Sequence, residues 1–217
     1  MLEHAMKVVE RIFEHRSRQQ IVIDDMQFGF MKSHGTTDTI FISRQMQENF
    51  RVKGKKLYFG FVDLEKAFDR VPREVISWAM RKLGVEEWLV SAVMSMYTGA
   101  KTVVRTVYGN SKGFEVEVGM RQGSALGPLS FVIVVEAISR EFRVALPWEL
   151  LYADDLAVTA EIEKELIKRL NEWKDNVESK GMRVSRNKKL RYRRVTARCV
   201  LSVVILPITT QQCRNYL

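Results

Sequence analysis

At 217 residues, 46% of them hydrophobic, the chain is long enough for one domain with a full core. Its formal charge of +9 invites an inference of nucleic-acid binding, yet Lys188, Lys189, Arg191, Arg193, Arg194, Arg198 and Arg214 all fall after residue 187, where no acidic residue stands. Without those seven the rest carries 28 basic against 26 acidic residues, so any affinity for a phosphate backbone there must rest on local patches. Lys53, Lys55 and Lys56 are one such patch, with a solvated loop as the equal alternative. Cys199 and Cys213 show no zinc or disulfide pattern, which is compatible with a reducing compartment. Met1 to Lys7 is too charged for a secretory signal, and no apolar run approaches the roughly 18 residues needed to span a bilayer, so no membrane partner is expected.

Leu2, Met6, Val9 and Phe13 recur at helical spacing, predicting an opening amphipathic helix with Lys7 and Arg11 on its outer face. Thr36 and Thr37 before Asp38 read as a second helix start, with Ile40, Phe41 and Phe50 expected inside. Leu57 to Val62 is apolar enough for a strand buried on both faces, and it closes on Asp63. Pro72 suits a helix's first turn, and Asp69 is expected to cap that helix. Val75, Ile76, Ala79, Met80 and Leu83 form one stripe ended by Gly84; Trp88, Leu89, Ala92, Val93, Met96 and Tyr97 form another ended by Gly99. Thr102 to Tyr108 and Phe114 to Val118 read as a hairpin around Gly109 to Gly113.

Leu129 to Phe142 is apolar nearly all round, as a helix buried under a sheet would be. The strand-like run from Glu149 to Ala153 then meets Asp154 and Asp155, and Leu156, Ala157 and Val158 resume at once, so two acids occupy a hairpin tip. Ile162, Leu166, Leu170, Trp173 and Val177 mark a long amphipathic helix closed by Gly181, before a strand at Met182 to Val184. The order of elements predicts an α+β fold, with helices on one face of a largely antiparallel sheet.

Adjacent aspartates raise each other's pKa unless something positive sits between them. A divalent cation meets that need, while a solvated Asp-Asp turn is the plainer alternative. Asp63, at the end of a buried strand, supplies a third carboxylate, the minimum for a two-metal site of the kind that drives in-line phosphoryl transfer.

Phe61-Val62-Asp63-Leu64-Glu65-Lys66-Ala67-Phe68-Asp69, Arg121-Gln122-Gly123-Ser124-Ala125-Leu126-Gly127-Pro128-Leu129 and Tyr152-Ala153-Asp154-Asp155 stand in the order of the palm motifs of reverse transcriptases. They resemble most the motifs of non-LTR (LINE-type, RTE-like) retrotransposons, and Gln27-Phe28-Gly29-Phe30 with Thr36-Thr37-Asp38 resembles that group's fingers-to-palm segment. Glu178 to Val184 is similar to the segment after the catalytic hairpin. The resemblance covers roughly residues 1 to 190. It implies a right-hand polymerase palm over 57–187, partial fingers over 1–56, and a basic tail over 188–217 that is expected to be disordered. Family members carry a further fingers segment before such a palm and a thumb after it; neither is recognisable here, so a truncated fragment is expected.

The same resemblance implies RNA-directed DNA polymerase activity, with two Mg²⁺ ions, Mn²⁺ as their substitute, deoxynucleoside triphosphates, an RNA template and a DNA primer. Asp63, Asp154 and Asp155 would be the catalytic carboxylates, with the Leu64 carbonyl as a further metal ligand. Phe68 would lie under the sugar and exclude a 2′-hydroxyl, although a plain core role is compatible with the same position. Ala67, Gln122 and Gly123 would border the nucleotide, with Tyr152 and Ala153 near the primer end. Lys66 could serve the nucleotide site or be solvated, and Lys188 is the nearest candidate for a lysine that protonates pyrophosphate. Gly127 departs from the Ser usual before Pro128. A nuclear or cytoplasmic ribonucleoprotein location follows from the family only. The alternative is a catalytically incompetent relic that keeps the palm and at most binds nucleic acid or a partner. An RNA-dependent RNA polymerase or nucleotide cyclase would share the paired acids, but not Glu65 to Asp69 together with Gln122 to Ser124.

Overall fold

The computed structural model describes residues 4–99, 101–121, 123–141 and 149–185. The expectations for Gln122, Lys188 and the 188–217 tail lie outside them. The chain divides into two compact units, each built from two stretches of sequence: Met1–Ile23 with Lys66–Ala137, and Asp24–Glu65 with Ile138–Leu217.

The second unit is a sheet with a helix on it. Strand β1 (Tyr58–Val62) pairs antiparallel with β7 (Asp155–Ala160), which pairs antiparallel with β6 (Glu149–Tyr152), in the order β1-β7-β6. The central strand β7 is buried from Leu156 onward, as its near-continuous apolar run requires. Short segments extend the sheet on both sides. Gln27 bridges in parallel to Leu151 beside β6, and Val184 bridges to Leu64 beyond β1. Helix α7 (Glu163–Ser179) buries Leu166, Leu170, Trp173 and Val177, the stripe the periodicity predicts, while Ile162 stays exposed as the residue before the helix. Its Leu170 packs so closely on β1 that a Cβ added at Gly60 would lie 2.7 Å from Leu170 Cδ1.

Helix α2 (Thr36–Val52) corrects one expectation. Ile40 and Phe41 are exposed and Phe50 is only half-buried, whereas Ile42 packs on Phe28, Leu150 and Ala157. The inward side is set by that cluster under β6, and not by the most apolar side of the helix.

The first unit is mainly helical. It contains α1 (His4–Gln20), the single turn α3 (Ala67–Arg70), α4 (Arg73–Lys82), α5 (Glu87–Ser95) and all but the last two residues of α6 (Gly127–Ser139). Helix α6 is buried from Leu129 to Ser139, as its all-round apolar sequence predicts, with Pro128 in its first turn. Helix α4 ends before Gly84, whose φ of 85° suits a left-handed stop, and Gly99 at φ 66° follows α5.

Four readings change here. Helix α1 buries Glu10 and Ser17 and leaves Val9 exposed, because the inward position meets a hydrogen-bond donor rather than an apolar surface. Trp88 is half-exposed, its indole N–H donating to Glu86 and Arg16 lying 5.4 Å over its ring, and Val90 is buried in its place. Asp69 lies inside α3, and α4 has Pro72 at its N-cap with no side-chain cap. The hairpin is a two-tier ribbon: β2 (Lys101–Thr102) pairs with β5 (Phe114–Glu115), and β3 (Arg105–Thr106) pairs with β4 (Gly109–Asn110). Its tight turn is therefore Val107–Tyr108, fixed by Thr106, whose hydroxyl donates to the Gly109 carbonyl and accepts the Tyr108 N–H.

Candidate active site

The register of the sheet brings the three acids to one end. Val62 pairs with Leu156, so one step further on Asp63 leaves β1 beside Asp155, the first residue of β7. Tyr152 pairs with Asp155, leaving Ala153 and Asp154 as a two-residue turn. Ala153 has φ 56° and Asp154 does not share the positive sign, the pattern of a type II′ turn, whose twist matches that of the paired strands. A left-handed alanine is costly, by roughly 1 kcal/mol, so something must hold it.

Gln27 does so from 126 residues away in sequence. Its side chain is fully buried, and Oε1 accepts the N–H of Ala153 at 3.1 Å and that of Gly29 at 2.9 Å. Gly29 crosses the turn so closely that a Cβ there would lie 2.1 Å from the Ala153 nitrogen, which makes glycine obligatory. On the other flank, the Asp63 carbonyl accepts the Ser185 N–H at 2.9 Å, and the Arg183 carbonyl accepts the Glu65 N–H at 2.8 Å. Asp63 is buried, while Asp154, Asp155 and Tyr152 are half-buried.

Among the described residues, Asp63, Asp154 and Asp155 included, no three His, Cys, Asp or Glu side chains come together as a group that could hold a metal ion by themselves. Hard oxygen donors at the open end of a sheet fit a small divalent ion that takes its remaining ligands from water and phosphate. They do not fit a closed structural site.

The first unit holds Lys66, Ala67, Phe68 and Gly123. Phe68 is half-buried, and one face of its ring stacks on Phe131 at 4.6 Å. Its carbonyl accepts the Met120 N–H at 2.8 Å, and Gly119 approaches Asp69 so closely that a Cβ would lie 2.8 Å from the Asp69 oxygen. Ala67 is buried. Lys66 is exposed in a left-handed conformation at φ 50°, where its carbonyl receives the N–H groups of Asp69 and Arg70.

The loop after Met120 is braced by charge. Arg121 donates to the Met96 carbonyl at the end of α5, and its guanidinium stands 6.0 Å over the Tyr97 ring; Arg73 lies 5.4 Å over the same ring and donates to the Tyr97 carbonyl at 2.7 Å. Cations at these carbonyls complement the α5 dipole. Buried Glu10 accepts the Ala125 N–H at 2.8 Å. Burial, and then the Glu10 charge, push the Tyr97 hydroxyl above its ordinary pKa, opposed by the two guanidiniums. Ser124 Oγ accepts the N–H groups of Leu126 and Gly127 at the start of α6, and Gly123 has φ 76°. A Cβ at Gly127 would make only ordinary contacts, so the usual Ser would fit there.

Lys55 pairs with Glu161 at 3.3 Å on the surface, which removes one charge from the proposed lysine patch. Gln27, Glu10 and Tyr97 carry no site role in the sequence reading. A polar residue in an otherwise apolar setting was the available signal, and it is a weak one. No helix among the described residues is long and apolar enough to cross a membrane.

A strand-end carboxylate beside a hairpin that carries two more, with a helix packed on the sheet, defines a polymerase-type palm. The chain belongs to the reverse transcriptase (RNA-dependent DNA polymerase) family, whose model matches residues 1–217. Divalent metal ions are general in that family. Over 186 residues the chain is 26% identical to a Pol polyprotein from a type-1 R2 retrotransposable element of Nasonia vitripennis, and over 163 residues it is 30% identical to the RNA-directed DNA polymerase of the mobile element jockey of Drosophila funebris. These matches cover 82% and 70% of this chain but only 18% of either relative. Apo telomerase from Candida tropicalis shares the fold, with a TM-score of 0.61 at 14% identity, over 83% of this chain and 35% of that one.

Proposed function

We propose that this chain carries the palm of an RNA-directed DNA polymerase that adds deoxynucleotides to a primer 3′-hydroxyl on an RNA template. The observation that carries the reading is the register that sets Asp63 beside Asp155 across neighbouring strands, with Asp154 in the turn. Residues 57–187 would be the palm and 1–56 part of the fingers. Two Mg²⁺ ions, when bound, would lower the pKa of the primer hydroxyl and neutralise charge on the triphosphate and leaving pyrophosphate.

Asp63 and Asp154 would be direct oxygen ligands, with the Leu64 carbonyl and Asp155 completing the protein's share. The buried backbone around them resists rearrangement, so the carboxylates are preorganised for charge that develops in transfer. Phe68, stacked on Phe131, presents a fixed ring that would exclude a 2′-hydroxyl from the sugar pocket. Ala67, Gln122 and Gly123 would border the nucleotide, and Tyr152 and Ala153 the primer terminus. Lys66 and Lys188 are secondary candidates for contacts to phosphate.

The test is extension of a DNA primer annealed to RNA, with Mg²⁺ and either deoxynucleoside or ribonucleoside triphosphates. Extension with the deoxy substrates alone supports both the reaction and the Phe68 role. A folded chain that extends nothing, or that prefers ribonucleotides, contradicts the reading.

A further inference from the structure

We propose that Gln27 is the positioning residue of the carboxylate turn: by accepting the Ala153 N–H, it holds Ala153 left-handed and so sets the spacing of Asp154 and Asp155. The purpose of that spacing rests on the polymerase reading; the hold itself does not.

The turn needs such a hold. Ala153 is buried, so its N–H cannot turn to water, and its positive φ is unfavourable for any residue with a Cβ. The segment that carries Gln27 is fastened to the same hairpin, with the Phe28 N–H donating to the Leu151 carbonyl at 2.7 Å and the Leu151 N–H to the Met26 carbonyl at 2.9 Å. Gly29 lies against the Ala153 backbone with no room for a side chain. One amide oxygen therefore joins the two strands' crossing point through two N–H groups, at Gly29 and at Ala153.

The choice of an amide is informative. Gln27 Nε2 is buried with no hydrogen-bond partner, the cost of using an amide here, but a carboxylate at the same place would leave a charged oxygen buried and unpaired, which costs more. A carboxylate would also place a further negative charge next to a turn that already carries Asp154 and Asp155, and like charges so close oppose ionisation. Glutamine accepts both N–H groups without adding charge, and the idle donor follows from that.

The experiment compares wild type, Gln27→Met, Gln27→Glu and Asp154→Asn by amide hydrogen exchange at Ala153 and by Mn²⁺ binding, read from the electron paramagnetic resonance signal of the free ion. Methionine keeps the length and loses the acceptor. Exchange at Ala153 should quicken about tenfold in Gln27→Met, and Mn²⁺ binding should weaken about tenfold, as when a partner behind a ligand is lost. Gln27→Glu keeps the acceptor and should leave the Ala153 amide protected. Asp154→Asn should lose Mn²⁺ binding with the Ala153 amide still protected, which separates the ligand from the residue that positions its turn.

Wild-type exchange and Mn²⁺ affinity in a folded Gln27→Met would overturn the proposal. Should that variant not fold, rapid Ala153 exchange in a folded Gln27→Glu overturns it and retained protection supports it. If wild type binds no Mn²⁺, the polymerase reading fails, while Ala153 exchange still decides whether Gln27 holds the turn.

Discussion

Around the Asp154 turn, the backbone is held by neutral groups: the Gln27 amide oxygen, the strand ladder, and the Asp63 carbonyl with Ser185. The loop that begins at Arg121 is held by charged ones: Arg121 and Arg73 against Tyr97 and the carbonyls ending α5, and Glu10 on the Ala125 N–H. The difference follows from what each region already carries. The turn has two carboxylates of its own, and another negative charge there would add to their mutual repulsion. The loop has no such cluster, so a full charge such as that of Glu10 can be buried where it finds a partner, and removing it strands the group it served.

That contrast can be broken at either end. The largest effect is expected from Asp63→Asn, which should lower the rate of primer extension about a thousandfold or more with little change in melting temperature, because on the proposed polymerase reading it removes a metal ligand and not a support. Gly29→Ala should come next. With backbone 2.1 Å from the new Cβ, no flexible side chain can yield, and unfolding free energy should fall by about 3 kcal/mol, the upper end for overpacking, as measured by urea denaturation. Phe68→Ala should reduce discrimination against ribonucleotides about a hundredfold in competing kcat/KM measurements.

Glu10→Ala should cost about 2 kcal/mol of stability by stranding the Ala125 N–H and leaving the nearby guanidiniums one anion short, with Glu10→Gln recovering part of it. The smallest effect concerns pH. The folded Tyr97 hydroxyl has a raised pKa, so the folded state holds its proton more tightly than the unfolded chain does. Its contribution is whole below the ordinary tyrosine value and declines as pH rises above about 10. Tyr97→Phe should remove that part of the alkaline decline, seen by comparing urea midpoints at pH 8 and above 10.

The parts of this architecture legible in the sequence are those set by local pattern. The α7 stripe, the all-apolar α6, the glycine stops after α4 and α5, and the strand that closes on Asp63 follow from periodicity and turn chemistry. The acids at the hairpin tip were legible too, although the turn proper is Ala153–Asp154, with Asp155 already in β7. What was not legible depends on partners far along the chain. Gln27 meets Ala153 across 126 residues and Glu10 meets Ala125 across 115, and no local signal marks either pair. The rotation of α2 onto Ile42 is likewise set by Phe28 and Leu150 on other segments. In the ribbon after Lys101, a single threonine hydroxyl at residue 106 outweighed the glycine-rich stretch as the turn signal.

The most direct test of the polymerase account is primer extension on an RNA template with Mg²⁺ and deoxynucleoside triphosphates, wild type against Asp154→Asn, with circular dichroism confirming that both are folded. The account predicts extension by wild type and its loss in the variant. Equal extension by the two folded proteins would contradict it, because the reaction would then not depend on the turn carboxylate.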